Sequence, residues 1–395
     1  MRFGSVCSGI EAASVAFGPL GWEAAWLAEI EAFPSAVLAH HYPTVPNLGD
    51  MTKIAAMVSA EEIEAPDLLC GGTPCQSFSV AGLRKSLDDA RGNLSLEFIR
   101  IANAIDDIRR NHGRKPAYIL WENVPGVLST KDNAFGAFLG GLCGRDAAIP
   151  QPGGGWTSAG VVAGPQRVVA WRVLDAQYFG LAQRRRRVFV LALGGAGGWA
   201  CADALLSITN SLSGHPAPRR QTGKVAPTIP SRSTAGGGLG TDFDLDGGTI
   251  CVATGQAGAE IGADIGADIG ADMAPTLNCN HEAPDVARTL LGKSNCSHAE
   301  DKEADHAYTL EARAEVQAVQ NAMQVRRLTP TEAERLQGFS DGYTAIPWRG
   351  KPADQCPDGP RYRSLGNSWA VPNVRWIGER IDAVQAIKSA GRKAA

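Results

Sequence analysis

Along the first 200 residues, short apolar runs alternate with longer amphipathic stretches. FGSVCSG (3–9) reads as a buried strand running into a glycine turn, and EAASVAFGPLGWEAAW (11–26) spaces Ala, Val and Phe for a helix. A second strand is expected to end at Glu29, and others at PDLLCGG (66–72), AYILWENV (117–124) and RVFVLALG (187–194). Helical periodicity falls between them, most clearly in SLEFIRIANAIDDIRR (95–110). This rhythm predicts an α/β class: a mostly parallel, Rossmann-like sheet with helices on both faces. GGGWTSAGVVAG (153–164) reads as loop.

After Gly194 the pattern changes. Gly, Ala, Thr, Asp and Pro dominate to about Asn321, which suits short strands and turns in a smaller domain. DMAPTL (272–277), DVARTL (285–290) and DHAYTL (305–310) share D-x-A-x-T-L, and KVAPTI (224–229) is a looser copy. IGADIGADIGAD (261–272) reads as a solvated acidic loop. A basic helical stretch resumes at Arg326, and GNSWAVPNVRWIGERIDAVQAI (366–387) reads as a final helix. The expected bounds are 1–194 for a first domain and 195–321 for a second. Residues 322–395 are expected to finish the small domain and return to the first.

The 395 residues, 44% hydrophobic and 20% charged, fit two or three globular domains and exclude collagen and coiled coil. No run approaches the ~20 apolar residues of a membrane span, and the N-terminus lacks a signal peptide's pattern. Nine scattered cysteines without an export signal suggest a reduced, cytoplasmic protein, nucleoid-associated if it binds DNA. Net charge runs −6 over 1–66, +6 over 67–200, −8 over 201–320 and +5 over 321–395, counted from the sequence. Two basic segments framing an acidic one permit a polyanion surface, although a pI of about 6.2 does not announce one.

Candidate chemistry gathers at strand ends. Cys75, in GGTPCQSFSVAG, follows a proline in a donor-rich turn and is a candidate thiolate nucleophile; read locally, it is equally one cysteine among nine. Glu122 ends a strand in ENVPGV, where a carboxyl raised by an apolar pocket can donate a proton, or where it is simply a loop carboxylate. In QRRRR (183–187), alternation along an extended chain would put Arg185 and Arg187 on one face. SGIEAAS (8–14) leads a strand into a helix, and Glu29 follows about twenty residues on, a spacing that suits a ribose diol.

Taken together, SVCSGIEAA, EIEAFPSAV, GDMTKI, PDLLCGGTPCQSFSVAG, RGNL, LWENVPGV, QRRRRVFVLA, RRLTPTEAERLQGFSDGY and RSLGNSWAVP resemble the C5-cytosine DNA methyltransferases. The resemblance spans most of 1–194 and 322–380. It implies methyl transfer from S-adenosyl-L-methionine to C5 of a cytosine flipped out of a specific duplex sequence. Cys75 would attack C6, Glu122 would serve N3 and N4, and Arg185 and Arg187 would orient the base. It assigns Ser8, Gly9, Ile10, Glu29, Ile30, Asp50, Met51, Pro74, Leu94, Asn367 and Ser368 to the cofactor. For duplex DNA it and the local charge suggest Gln76, Ser77, Ser79, Arg84 and Arg91, with Arg219, Arg220, Lys224 and Arg232 at the head of the second domain. The resemblance makes the first domain catalytic and the second a recognition domain.

The chain departs from the family where Asp and Phe give way to Ser5 and Cys7, and a glycine pair to Glu11 and Ala12. Repetition alone explains the spacing of Cys279, His281, Cys296 and His298, so no metal is expected. The enzyme is expected to act as a monomer without membrane attachment; a cognate restriction endonuclease is a compatible partner that is not visible in the sequence. Rival readings are a transfer-RNA cytosine methyltransferase, a DNA-binding relic without catalysis, and a thiol redox enzyme. The long recognition segment, the retention of thiol, acid and cation together, and the lack of C-x-x-C argue against them in turn.

Overall fold

β1 (Arg2–Val6) lies between β2 (Glu23–Ala28) and β3 (Leu68–Gly71) and runs parallel to both, and β3 in turn is parallel to β4 (Tyr118–Asn123). This is a computed structural model, and it describes residues 1–73, 94–153, 155–194, 288–293, 302–304, 315–321 and 324–393. β5 (Ala159–Ala163), β6 (Arg167–Asp175) and β7 (Arg186–Gly194) complete a sheet of seven strands ordered β2-β1-β3-β4-β7-β6-β5. β7 is antiparallel to β4, and β5 to β6, so the parallel half gives way to a mixed one.

Strand alternation sorts the core into two faces. Val6, Trp26, Leu69, Ile119, Trp121, Val188 and Val190 bury into a cluster with Phe98 and Ile105 of α4 (Leu94–Asn111) and Phe135 and Phe138 of α5 (Ala134–Cys143). On the other face Phe3, Leu27, Leu120, Phe189 and Leu191 are buried, and Phe3 meets Phe17 of α1 (Ala12–Phe17) edge-on at 5.4 Å. α2 (Ala32–His41) and α3 (Ile54–Ser59) link the first strands. A buried ion pair ties α4 to β6: Arg167 Nε and Nη2 donate to Asp106 Oδ2 at 3.0 and 2.7 Å.

By contacts the chain divides into two units, Met1–Leu174 with Arg186–Ile208 and Asn373–Ala395, and Asp175–Arg185 with Thr209–Pro372. Asp175–Arg185 thus belongs with the second unit, although it lies inside the first 194 residues. In the first unit, the long C-terminal helix approaches α1 closely enough that a Cβ on Gly378 would meet Phe17 at 3.0 Å and Leu20 at 2.7 Å. In the second unit, β8 (Arg288–Lys293), β9 (Lys302–Ala304), β10 (Glu315–Asn321) and β11 (Gln324–Arg327) form an antiparallel sheet ordered β11-β10-β8-β9. The Thr289–Leu290 pair of one repeat lies in β8. α6 (Pro330–Gln337) opens on a capping box between Thr329 and Glu332.

Some local readings change. EAASVAFGPLGWEAAW is not one helix: Gly18-Pro19 tightens the chain into a 3-10 turn, Gly21 turns left-handed at φ 73°, and Glu23–Trp26 belongs to β2. GNSWAVPNV is likewise a junction, because α7 (Asp358–Asn367) ends on an extended Ser368 before α8 (Val371–Lys393) begins. Arg326 lies in β11 rather than in a helix. The presumed loop holds β5, and RVVAWRVLD, unread as a strand, is β6.

Candidate active site

The turn after β1 is built from left-handed residues, with Cys7, Gly9 and Glu11 at φ 50°, 56° and 66°. Ser8 pins it to β2: its N–H donates to Ala28 O at 3.2 Å, its hydroxyl to Ser5 O at 3.0 Å, and Ala28 N–H donates back to Ser8 Oγ at 3.1 Å. Gly9 N–H donates to Glu29 Oε2 at 2.8 Å, while Glu31 N–H donates to Glu29 Oε1 at 2.7 Å. Both carboxylate oxygens therefore hold backbone and each keeps a free lone pair for a diol. Ile10 is wholly buried, so its side chain packs the core beneath the turn.

Beside this carboxylate, Ile30 is 75% exposed, an apolar side chain standing in solvent. Asp50 is exposed and caps the next turn, its Oδ1 accepting from Thr52 N and Oγ1 at 3.0 and 2.9 Å; those hydrogen bonds hold its pKa below the usual carboxylate value. Met51 is buried, with its Sδ 3.5 Å from Cys7 Sγ, so two polarisable sulfurs meet where the family keeps an aromatic ring. Burial, reinforced by Glu29, pushes the Cys7 thiol up to about 12. A thiol raised in this way stays protonated near neutral pH.

The unexpected Glu11 turns inward. It is fully buried as the N-cap of α1, with Oε1 accepting from Ser14 N and Oγ at 3.0 and 3.1 Å and Oε2 from Ser5 Oγ at 3.0 Å. The serine that replaces the family's aspartate is thus the partner of the glutamate that replaces its glycine. Burial raises this carboxyl to about 7, against the Ser5 and Ser14 hydrogen bonds.

At the end of β4, Glu122 is opposite Phe189 of β7, which makes Arg187 its diagonal neighbour on the same face. Arg187 Nε lies 3.1 Å from Glu122 Oε1, with both side chains largely buried. Asn123, on the opposite face, donates from Nδ2 to Thr73 O at 3.0 Å, and Trp121 Nε1 donates to Thr73 Oγ1 at 2.9 Å. Thr73 Oγ1 also shares a 2.8 Å hydrogen bond with Ser95 Oγ of α4. Sequence reading missed Thr73; its partners lie 22 to 50 residues away, beyond any local pattern.

Arg185 has other company. It precedes β7, so strand alternation does not apply to it, and its Nη2 donates to Gly366 O at 3.0 Å and Ser368 O at 2.6 Å. Ser368 is buried just past α7 and Asn367 is exposed at its end; Leu94 starts α4 against the main core. Pro74, Cys75, Gln76, Ser77, Ser79, Arg84, Arg91, Arg219, Arg220, Lys224 and Arg232 lie outside the described residues, as do the Cys-x-His pairs and the IGAD tract. Among the described residues no helix is long and apolar enough to cross a membrane.

The fold is that of a known methyltransferase class. The crystal structure of the Dnmt2 methyltransferase of S. pombe matches with a TM-score of 0.50 and 17% identity over 97% of this chain and 99% of that one. Residues 1–141 and 270–383 match the C-5 cytosine-specific DNA methylase family, and the chain belongs to it. Its cofactor is S-adenosyl-L-methionine. Among curated relatives, a protein of Escherichia phage P1 named DNA N-6-adenine-methyltransferase is 42% identical over 96% of this chain. The chain spans 61% of that relative's length. The type II methyltransferase M.AquIA of Picosynechococcus sp. is 31% identical over 47% of this chain and 69% of its own.

The turn residues fit that cofactor. Glu29 keeps acceptor capacity for ribose hydroxyls, Ile30 offers an uncovered apolar surface for adenine, and the sulfurs of Cys7 and Met51 lie behind the same turn.

Proposed function

We propose that this chain methylates C5 of cytosine within a specific duplex DNA sequence, acting as a monomer on a base turned out of the stack. The Glu122–Arg187 pair carries the reading: a buried carboxyl at a strand end, held by a guanidinium, is suited to a pyrimidine's N3 and N4 edge. When bound, S-adenosyl-L-methionine supplies an electrophilic methyl on a sulfonium. The Cys75 thiolate adds to C6, and Glu122 holds the proton at N3, so the electron pair shifts to C5, which takes the methyl. Loss of the C5 proton then expels Cys75. Arg187 keeps Glu122 aimed, and Arg185 orients the base indirectly by holding the Gly366 and Ser368 carbonyls. Glu29, Ile30, Asp50 and Met51 serve the adenosine, and Ser8 and Gly9 shape the methionine end; the family resemblance adds Pro74, Leu94, Asn367 and Ser368 as cofactor residues. Gln76, Ser77, Ser79, Arg84, Arg91, Arg219, Arg220, Lys224 and Arg232 contact DNA, and a cognate restriction endonuclease is a compatible partner.

The phage P1 relative's name motivates a second reading, transfer to adenine N6. Incubating the protein with methyl-labelled cofactor and mixed-sequence duplex DNA, then separating the nucleosides by mass spectrometry, decides between them. Labelled 5-methylcytosine, absent with Cys75→Ser, is the expected result; labelled N6-methyladenine, or label that survives the substitution, overturns it.

A further inference from the structure

Glu11 takes no part in the chemistry above, yet it is a wholly buried acid at the end of the cofactor turn, two residues from Gly9. Its position is constrained twice over, by a left-handed backbone that glycine would adopt more easily and by hydrogen bonds to Ser5 and Ser14. The groups facing it among the described residues are Ser5 of β1, Ser14 of α1, the buried Cys70 thiol of β3 and Glu29 after β2. None of these is a cation. When ionised, Glu11 therefore places a negative charge behind the turn, solvated by two hydroxyls and an amide and in no ion pair among the described residues.

Resting on the cofactor assignment above, we propose that the Glu11 carboxylate is a specificity-determining charge: it favours the sulfonium donor S-adenosyl-L-methionine over the uncharged thioether S-adenosyl-L-homocysteine left after transfer. The two ligands share their adenosine and amino-acid ends and differ at sulfur by one methyl and one positive charge. A fixed carboxylate distinguishes that charge through a low-dielectric wall without touching it. Because burial brings the carboxyl to about 7, the preference grows as pH rises through neutrality. Product inhibition would weaken over the same range.

Calorimetric titration of the full chain with each ligand, without DNA, from about pH 6 to about pH 8, tests this for the native protein, Glu11→Gln and Glu11→Gly. The ratio of the two dissociation constants is expected to shift toward the donor on the order of fivefold in the native protein and to stay level in both variants. The ligands' own amino groups titrate alike in all three proteins, so the difference between native protein and variant isolates Glu11. Glycine suits φ 66°, so Glu11→Gly carries the comparison if Glu11→Gln fails to fold. A level ratio in the native protein, or the same rise in a variant, overturns the inference. Binding of neither ligand overturns the cofactor assignment itself, and this inference with it.

Discussion

Glu122 and Arg187 meet across two antiparallel strands, Oε1 to Nε at 3.1 Å, although 64 residues of chain separate them. The pairing of Glu122 with Phe189 puts Arg187 two residues along on the same face. The two side chains therefore form one unit, and removing either should disable the other.

Glu122→Gln and Arg187→Ala are each expected to slow single-turnover methyl transfer by about 10²–10⁴-fold. The double variant should be little slower than the worse single one, since residues that act together lose their effect together. Fully multiplicative losses would show instead that they work independently.

Glu29→Ala frees the amides of Gly9 and Glu31 and removes the diol acceptor. Hydrogen bonds to a charged group contribute about 1.5–3 kcal/mol each, so cofactor affinity measured by calorimetry should weaken at least about tenfold. Affinity for duplex DNA, read by fluorescence anisotropy of a labelled duplex, should change far less.

The local readings that held and those that failed differ in a physical way. α4 was legible because its apolar residues recur at helical spacing over five turns of solvent-facing and core-facing positions, and the observed Leu94–Asn111 encloses the expected 95–110. Glu122 and Arg187 were each legible as strand-end residues. Their contact was not, because it depends on β7 running antiparallel to β4, which no local pattern encodes. In residues 11–26 alanine and tryptophan suit strand and helix alike; the decision came from Gly21 and from the pairing of β2 with β1. Glu11 was seen only as a departure near the cofactor. That its carboxyl faces inward depends on Ser5, six residues back on another element.

Glu11 also predicts a pH-dependent stability. Its folded value of about 7 lies above its ordinary 4.5, so the folded protein holds a proton there that the unfolded chain releases. The stabilisation is complete below about pH 4.5 and is lost as pH rises through about 7, on the order of 3 kcal/mol in all. Urea midpoints of the native protein and Glu11→Gln, compared across that range, should diverge accordingly; parallel curves would refute it.

The Arg167–Asp106 pair is buried, with side chains 1% and 7% exposed, and Asp106 Oδ1 also accepts from Ala117 N at 2.8 Å. Asp106→Ala should cost about 3–5 kcal/mol in urea unfolding because it leaves a buried guanidinium without its carboxylate. Replacing both residues by leucine should cost clearly less than the sum of the single changes.

Cross-strand register has a consequence for length variation among related chains. Since β4 and β7 bring Glu122 and Arg187 together by pairing, the turns between the intervening elements can vary in length without moving either residue. α5 and β6 cannot, because one packs in the core and the other lies beside β7 in the sheet. A single-residue deletion between Arg187 and Phe189 is another matter: it would turn the arginine to the opposite side of the sheet, among the aromatic side chains of α5. Length changes should therefore be tolerated in those turns and purged from the first residues of β7.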